Sequence, residues 1–220
     1  MEKIISKVKP DIRYLNDMGK VLYDKKWLKS QKENFELYYM YRGIKEKDGL
    51  RYDITIIPGK ILGKEFVKTK GHKHIGNFRE LYIVLEGKAI YLMQKYENGK
   101  IEDVYKVLAK KGDIILIPSN YGHVTINPSR KTLKMANWIS KKCKSCYDLF
   151  EKKQGACYLA IARKSAPYRL ALSKKGGTGA EPKIEWIKNK NYKNIPKLRI
   201  EKSLRKLPRN LDFLKAKPGW

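Results

Sequence analysis

Short apolar runs bounded by turn residues recur along most of the chain. The runs at 80–85 (ELYIVL) and 114–117 (IILI) have the apolar density of buried strands, and Gly87 and Gly112 mark turns beside them. The dipeptide Asn98-Gly99, between two further strand-like segments, is a strong hairpin signal. Many short strands with a turn signal about every ten residues predict an all-β sandwich or barrel.

Two kinds of element are predicted ahead of these strands. Asn16 or Asp17 is placed to cap a short helix that reaches toward Trp27. The runs at 35–41 (FELYYMY) and 52–57 (YDITII) are rich in aromatic and β-branched residues, which are typical of strands.

The C-terminal part has a different composition. Segments 155–161 and 168–172 are candidates for closing strands, residues 173–182 (SKKGGTGAEP) have linker composition, and 183–188 predict one more strand. Leucines at helical spacing from Pro196 onward predict a short basic helix that Pro208 ends. We therefore divide the chain into a domain at 1–172, including an N-terminal arm, and a basic extension at 173–220.

The chain is strongly basic, with 50 Lys and Arg against 22 Asp and Glu and a net charge of +28. Residues 171–220 hold fourteen Lys or Arg and four Asp or Glu, so they carry 14 − 4 = +10 of that charge. Such a field attracts phosphorylated metabolites or nucleic acid. Genome composition or heat adaptation would enrich lysine without any such partner, and both interpretations stay open.

Two observations concern the cellular environment. No signal peptide opens the chain, and no apolar run approaches the ~18 residues that span a bilayer, so we expect a cytoplasmic protein without membrane contact. Three cysteines argue against a disulfide framework. Cys143 and Cys146 could form a thiolate or redox pair, and the other interpretation is that they and Cys157 are packed, reduced thiols.

The candidate chemistry lies in the three histidines of the chain and one glutamate. In a strand His72 and His74 point to the same face, because side chains alternate. Glu80 begins the first apolar run, and His123 follows the second. Three imidazoles and one carboxylate form a ligand set for a divalent transition metal: Fe²⁺, Mn²⁺, Ni²⁺ or Zn²⁺. The ligand types do not rank these ions, and Fe²⁺ is our first expectation.

These residues also stand at the spacing of two known motifs. The first resembles the cupin pattern of His-x-His, a few residues, Glu, six intervening residues and Gly, which here falls on His72, His74, Glu80 and Gly87. The second resembles its partner pattern, which here falls on Gly112, Pro118, His123 and Asn127. Within cupins, the segments IIPGK, KEF, TKGHKH, ELYIVLEGK and HVTIN are most similar to the archaeal-type glucose-6-phosphate isomerases, from about residue 15 to residue 161.

The resemblance implies a cupin jelly roll, a homodimer and a metal-dependent conversion of glucose 6-phosphate to fructose 6-phosphate, a step of glycolysis and gluconeogenesis. Glu80 would be both a metal ligand and the base, although a hydride shift without that base is a competing mechanism. The remaining roles that the resemblance implies are orientation of hydroxyls or proton transfer by Tyr82 and Tyr147, a sugar-pocket position for Tyr38, and phosphate binding by Thr69 and the Gly71 N–H. The alternative for Tyr38 is a core position.

The sequence departs from the family pattern at several positions. Phe66 and Asn120 stand where glycines are expected. The family's His-Asp-Tyr segment corresponds here to Ser145-Cys146-Tyr147, and a threonine used for the phosphate falls on Ile54, with Thr55 facing the other side of the strand.

Two non-catalytic functions therefore remain alternatives to the isomerase. The chain could be a metal-binding cupin that binds a phosphosugar without converting it. It could also bind nucleic acid through the basic extension.

Overall fold

The computed structural model describes residues 8–163 and 182–215. Most of these residues are in β-strands, with two short α-helices and two single turns of 3₁₀-helix at Asn16–Met18 and Asp212–Leu214. The strands are β1 (Asp11–Tyr14), β2 (Glu36–Lys47), β3 (Leu50–Ile57), β4 (Ile61–Leu62), β5 (Glu65–Phe66), β6 (His72–Ile75), β7 (Glu80–Glu86), β8 (Lys88–Glu97), β9 (Lys100–Lys110), β10 (Ile114–Ile117), β11 (Tyr121–Ile126), β12 (Leu133–Ser140), β13 (Lys144–Cys146), β14 (Tyr158–Arg163), β15 (Lys183–Lys188) and β16 (Arg199–Glu201). The helices are α1 (Lys25–Ser30) and α2 (Asp148–Lys152).

Two six-stranded sheets contain most of the core and the four candidate metal ligands, and β15-β14-β5-β4 form a third sheet. The strand orders of the two six-stranded sheets are β1-β2-β3-β12-β7-β10 and β13-β6-β11-β8-β9-β16. Apolar side chains from both sheets form one cluster, with Leu37 and Val84 from the first sheet and Tyr91 and Val124 from the second. Each fully buried side chain of this kind contributes roughly 1.5–3 kcal/mol to folding. The predicted all-β cupin jelly roll is confirmed.

The strand predictions along the central part of the chain are confirmed. β7 and β10 form where the two apolar runs predicted strands. Asn98 and Gly99 make the hairpin turn between β8 and β9, and both have a positive φ, as a two-residue turn with the twist of the flanking strands requires. Asn120 also has a positive φ, 67°, a backbone conformation that glycine adopts without steric cost.

The elements at the two ends differ in part from the predictions. The predicted N-terminal helix is divided into the 3₁₀ turn at Asn16–Met18 and α1, which is capped by Asp24 rather than by Asn16 or Asp17. Asp24 accepts a hydrogen bond from the Trp27 N–H at 3.0 Å.

In the extension, β15 forms at the predicted position and pairs with β14. The helix predicted after Pro196 is wrong, because Arg199–Glu201 instead pairs with β9 as the parallel strand β16. The predicted strand at 168–172 and the boundary at 172/173 lie outside the described residues. Within the described residues, no helix has the length and apolar character needed to cross a bilayer.

Candidate metal centre and substrate cavity

Four side chains from three strands converge at one point between the sheets. His72 and His74 lie on β6, Glu80 begins β7 and His123 lies on β11. His72 and His123 are direct partners across the antiparallel β6–β11 pair, and their ring centroids are 4.4 Å apart. The nearest ligand atoms of the four residues all lie within 4.8 Å of one another. The predicted ligand set is therefore assembled.

The polar atoms at this point lack other partners. Glu80 Oε2 lies 3.3 Å from His74 Nε2 and 3.4 Å from His123 Nε2, and none of the three atoms has a hydrogen bond although all are buried. An unpaired buried polar atom costs about 1–3 kcal/mol. A cation roughly 2 Å from each ligand atom would remove that cost, so the residues fit a metal ion.

Outer contacts fix two of the ligands. His74 Nδ1 lies 3.3 Å from the Phe78 carbonyl oxygen, which directs Nε2 toward the cluster. Asn137 Nδ2 donates to Glu80 Oε1 at 2.7 Å, and this bond leaves Oε2 facing the imidazoles. Contacts of this kind orient metal ligands before an ion binds.

The ionisation of Glu80, His72 and His123 suits a cation. Burial lowers the pKa of His72 well below its usual value, and burial also lowers the pKa of His123. Burial lowers the pKa of His74 too, but Glu80 beside it raises that pKa above its usual value. Burial alone would raise the pKa of Glu80, yet His123 and His74 hold it below its usual value. Glu80 is thus anionic at neutral pH, as metal ligation requires.

The cluster lies at one side of a cavity that residues of both sheets line. The residues predicted to bind or convert a substrate all line this cavity: Tyr38, Thr69, Gly71, Tyr82 and Tyr147. His72, Glu80 and His123 also line it, whereas His74 is 2% exposed and does not. The predicted substrate-binding residues therefore lie at the same cavity as three of the four candidate metal ligands.

Two backbone features shape the end of the cavity at 69–71. Thr69 Oγ1 accepts a hydrogen bond from the Thr125 N–H at 2.9 Å, so its hydroxyl proton is directed elsewhere. Gly71 has a φ of +84°, and a Cβ there would lie 2.6 Å from Phe150 Cδ1. A side chain at this position is therefore excluded, and the backbone borders the cavity directly.

The tyrosines occupy different depths. Tyr38 belongs to the core cluster, yet its hydroxyl accepts a hydrogen bond from the Lys70 N–H at 3.1 Å at the cavity. Burial raises the pKa of Tyr82 well above its usual value, so its O–H remains a donor, and its ring centroid is 6.1 Å from that of His123. Tyr147 is half-buried, and its ring centroid is 5.6 Å from that of His72.

The family model for glucose-6-phosphate isomerase (GPI) matches residues 13–169. The chain belongs to this isomerase family. The predicted family resemblance is therefore confirmed.

Curated relatives in the family carry the same name. A glucose-6-phosphate isomerase of Pyrococcus abyssi is 35% identical over 130 residues, which are 56% of this chain and 66% of that protein. One from Thermococcus litoralis is 34% identical over 135 residues, which are 58% of this chain and 68% of that protein. The chain thus spans just under two thirds of the Pyrococcus relative.

Solved structures of lower similarity were also found. A predicted oxalate decarboxylase of Thermotoga maritima is 18% identical with a TM-score of 0.38, covering 60% of this chain and 92% of that one. An oxalate decarboxylase of Lactobacillus farciminis is 14% identical with a TM-score of 0.42, covering 61% of this chain and 31% of that one.

Two departures from the isomerase family pattern concern the cavity. Ser145 lines the cavity, and β13 pairs it with His74 of β6, so a short hydroxyl side chain stands where the family has histidine. Thr55, and not Ile54, lines the cavity, because Ile54 packs in a separate apolar cluster on the other face of β3. A threonine hydroxyl therefore remains available at the cavity.

The three cysteines are free thiols. Burial raises the pKa of both Cys143 and Cys157 to about 12, so both are protonated at neutral pH. The structure therefore agrees with packed, reduced thiols at these two positions.

Several cavity residues were not predicted from the sequence. Polar residues alternate with apolar ones along β3 at Arg51, Asp53 and Thr55. This period of two predicts that one face of the strand is polar. Asn137 was also readable as a lone amide in an apolar strand. Arg13, which is distant in sequence from every motif, gave no signal.

Proposed function

We propose that the chain is a metal-dependent isomerase that interconverts glucose 6-phosphate and fructose 6-phosphate in glycolysis and gluconeogenesis. The observation that carries this proposal is the convergence of His72 with the buried His74, Glu80 and His123 at a cavity that Tyr82, Tyr147 and Thr69 also line. Membership of the isomerase family supports the same activity.

His72, His74, His123 and Glu80 would hold the ion, and Fe²⁺ is the first ion to test, followed by Mn²⁺, Ni²⁺ and Zn²⁺. The bound ion supplies Lewis-acid polarisation of the sugar carbonyl. The phosphate would bind the Thr69 hydroxyl and the Gly71 N–H, which places C1 and C2 of the sugar toward Glu80.

The reaction moves one hydrogen between C2 and C1 and one proton between the two oxygens. Glu80 takes the C2 proton, and the electron pair of the broken C–H bond forms the C1=C2 double bond of an enediol while O1 gains a proton. O2 then loses its proton and forms the C2 carbonyl, and the electron pair of the C1=C2 bond takes a proton from Glu80 at C1. Tyr82 stays protonated in its buried position and donates a hydrogen bond to a substrate oxygen. Tyr147, at the cavity wall beside His72, orients the hydroxyls.

The deciding experiment measures fructose 6-phosphate turnover by metal-reconstituted protein with and without a chelator. We expect activity that a chelator abolishes and metal restores. Glu80→Gln that retains its metal should lose isomerisation. The wild-type reaction in D₂O should place deuterium on C2 of the glucose 6-phosphate product. Undiminished turnover by Glu80→Gln, without deuterium uptake, would support the hydride shift.

Absence of turnover with every ion, together with binding of the sugar phosphate, would support the non-catalytic alternative. The homodimer and the binding of nucleic acid by the extension stay predictions.

A further inference from the structure

Four cationic side chains line the cavity beside the candidate metal ligands. They are Arg13, Arg42, Arg51 and Lys70. Three of the four are already paired with a carboxylate. The pairs are Arg42 Nε with Asp11 Oδ2 at 2.7 Å, Arg51 Nε with Asp53 Oδ2 at 2.9 Å, and Lys70 Nζ with Glu151 Oε1 at 2.6 Å.

Arg13 is the exception among the cavity cations. Within the described residues it has no carboxylate within 4.0 Å, and its Nε is buried without a hydrogen-bond partner. In the part of the chain that the structure describes, the only other side-chain atoms in this condition belong to the candidate metal ligands. A buried guanidinium donor without an acceptor is unfavourable. A bound anion would supply the acceptor that this nitrogen lacks.

The position of Arg13 shows which end of the cavity the anion would occupy. Its guanidinium lies beside the Tyr38 hydroxyl, where it offsets part of the rise that burial causes in the pKa of Tyr38. The same hydroxyl accepts a hydrogen bond from the Lys70 N–H, and Thr69 and Gly71 flank that residue. Arg13 therefore reaches the end of the cavity where the phosphate is proposed to bind.

We propose that Arg13 is the side chain that neutralises the phosphate of the substrate, through Nε and one terminal nitrogen of its guanidinium. The planar fork of arginine matches two oxygens of a phosphomonoester, and charge-assisted bonds of this type are roughly twice as strong as neutral ones. The inference rests on the proposed function for the location of the phosphate. It assigns to this chain a specificity residue for phosphorylated over unphosphorylated sugars.

The test compares Arg13→Gln with the metal-loaded wild-type protein by calorimetric titration of inorganic phosphate and of glucose 6-phosphate. We expect the Kd of each to rise by about 10- to 100-fold, as the loss of a charged hydrogen-bonding group predicts. The affinity for the metal ion should remain within about twofold, since Arg13 is not among the ligands. Arg163→Gln, which removes an exposed arginine paired with Glu185, is the matched control for charge and should leave all three affinities unchanged.

Kinetics provide an independent readout. Arg13→Gln should raise KM for glucose 6-phosphate far more than it lowers kcat, because the contact is made in both the ground state and the transition state. Arg13→Lys keeps the charge and loses the fork, so it should recover part of the affinity; it also replaces Arg13→Gln if that variant fails to fold.

The outcomes separate this inference from the isomerase proposal. Loss of phosphate affinity in Arg13→Gln, in a protein that does not isomerise, supports the role of Arg13 and contradicts only the activity. Isomerisation with an unchanged KM and unchanged phosphate affinity in Arg13→Gln overturns the role of Arg13 and leaves the activity intact. A wild-type protein that binds neither phosphate nor glucose 6-phosphate overturns the inference.

Discussion

Asn137 donates a hydrogen bond to Glu80 across the β7–β12 pair, with 2.7 Å between Nδ2 and Oε1, and both side chains are buried. The bond occupies the carboxylate oxygen that does not face His74 and His123. Asn137 thus fixes which oxygen of Glu80 is presented to the ion. An amide suits this role, because it adds no charge beside the carboxylate.

Replacement of Asn137 by alanine should weaken metal binding and lower activity. The Glu80 Oε1 would remain buried without a donor, and outer contacts of this kind typically contribute about 10- to 100-fold to metal affinity. The measurement is a competition titration with a chelator that forms a coloured complex. Asn191→Ala removes an exposed asparagine that does not line the cavity and is the control. Equal metal affinity in Asn137→Ala and the control would contradict this role.

Removal of one ligand should abolish the site while the fold remains. His123→Ala leaves three of the four donors, so we expect metal content after reconstitution to fall from one ion per chain to nearly none. The wild-type protein should also melt at a higher temperature with metal than without it, because an ion that binds only the native state stabilises that state. His123→Ala should lose this difference. Metal content and melting temperature are measured on the same samples, and a retained increase would show that the ion binds elsewhere.

The ligands were predictable from sequence because strand alternation and motif spacing are local properties. His72 and His74 share a face in any extended segment, and the apolar runs before His123 and after Glu80 define the strands that hold them. The contacts of Asn137 and Arg13 depend instead on the register of strand pairing. Their contacts with Glu80 and Tyr38 depend on which strands pair, and no local pattern encodes that pairing.

The helix predicted after Pro196 failed for a related reason. The leucine spacing permits a helix, but Arg199 lies beside Asp103 of β9, with 2.7 Å between Nη2 and Oδ1, and Arg199–Glu201 pairs with that strand. A neighbouring sheet edge supplies backbone partners that outweigh a weak helical propensity. Sequence periodicity describes only the chain itself, so it cannot include this competitor.

Glu151 should make stability depend on acid pH. Lys70 and Lys20 hold the pKa of Glu151 at about 2, against an ordinary value of 4.5. The folded-state pKa is depressed, so the stabilisation is fully present above pH 4.5 and is lost as the pH falls from 4.5 toward 2. In metal-free protein, Glu151→Gln should be less stable than wild type at pH 7 in urea, and the difference should shrink below pH 4.5. A difference that is constant with pH would contradict the ion pairs.

Cys143 should react slowly with alkylating reagents despite its partial exposure. Its pKa of about 12 leaves a thiolate fraction on the order of one in ten thousand at pH 8. Iodoacetamide labelling followed by mass spectrometry should show a rate that rises about tenfold per pH unit and increases sharply in urea. Cys143→Ser provides the background rate. Rapid labelling, or a disulfide with Cys146 formed in air, would instead support the redox pair.

Gly71 and Gly99 form a matched pair that separates backbone strain from steric exclusion at the cavity. Both have a positive φ, +84° and +79°, so alanine at either position costs about 1–2 kcal/mol of backbone strain. At Gly99 the new methyl group would meet nothing within 4 Å, whereas at Gly71 it would lie 2.7 Å from Val124 Cγ2 and 2.6 Å from Phe150 Cδ1.

Gly71→Ala should therefore lose roughly 1–3 kcal/mol more than Gly99→Ala in the free energy of unfolding, because overpacking adds to the strain. It should also weaken phosphate binding, since relief of the clash moves the N–H that borders the cavity, while Gly99→Ala binds phosphate normally. Urea unfolding and calorimetry measure the two effects. Equal destabilisation of the two variants would show that Phe150 yields to the methyl group and that the close packing behind the cavity is not required.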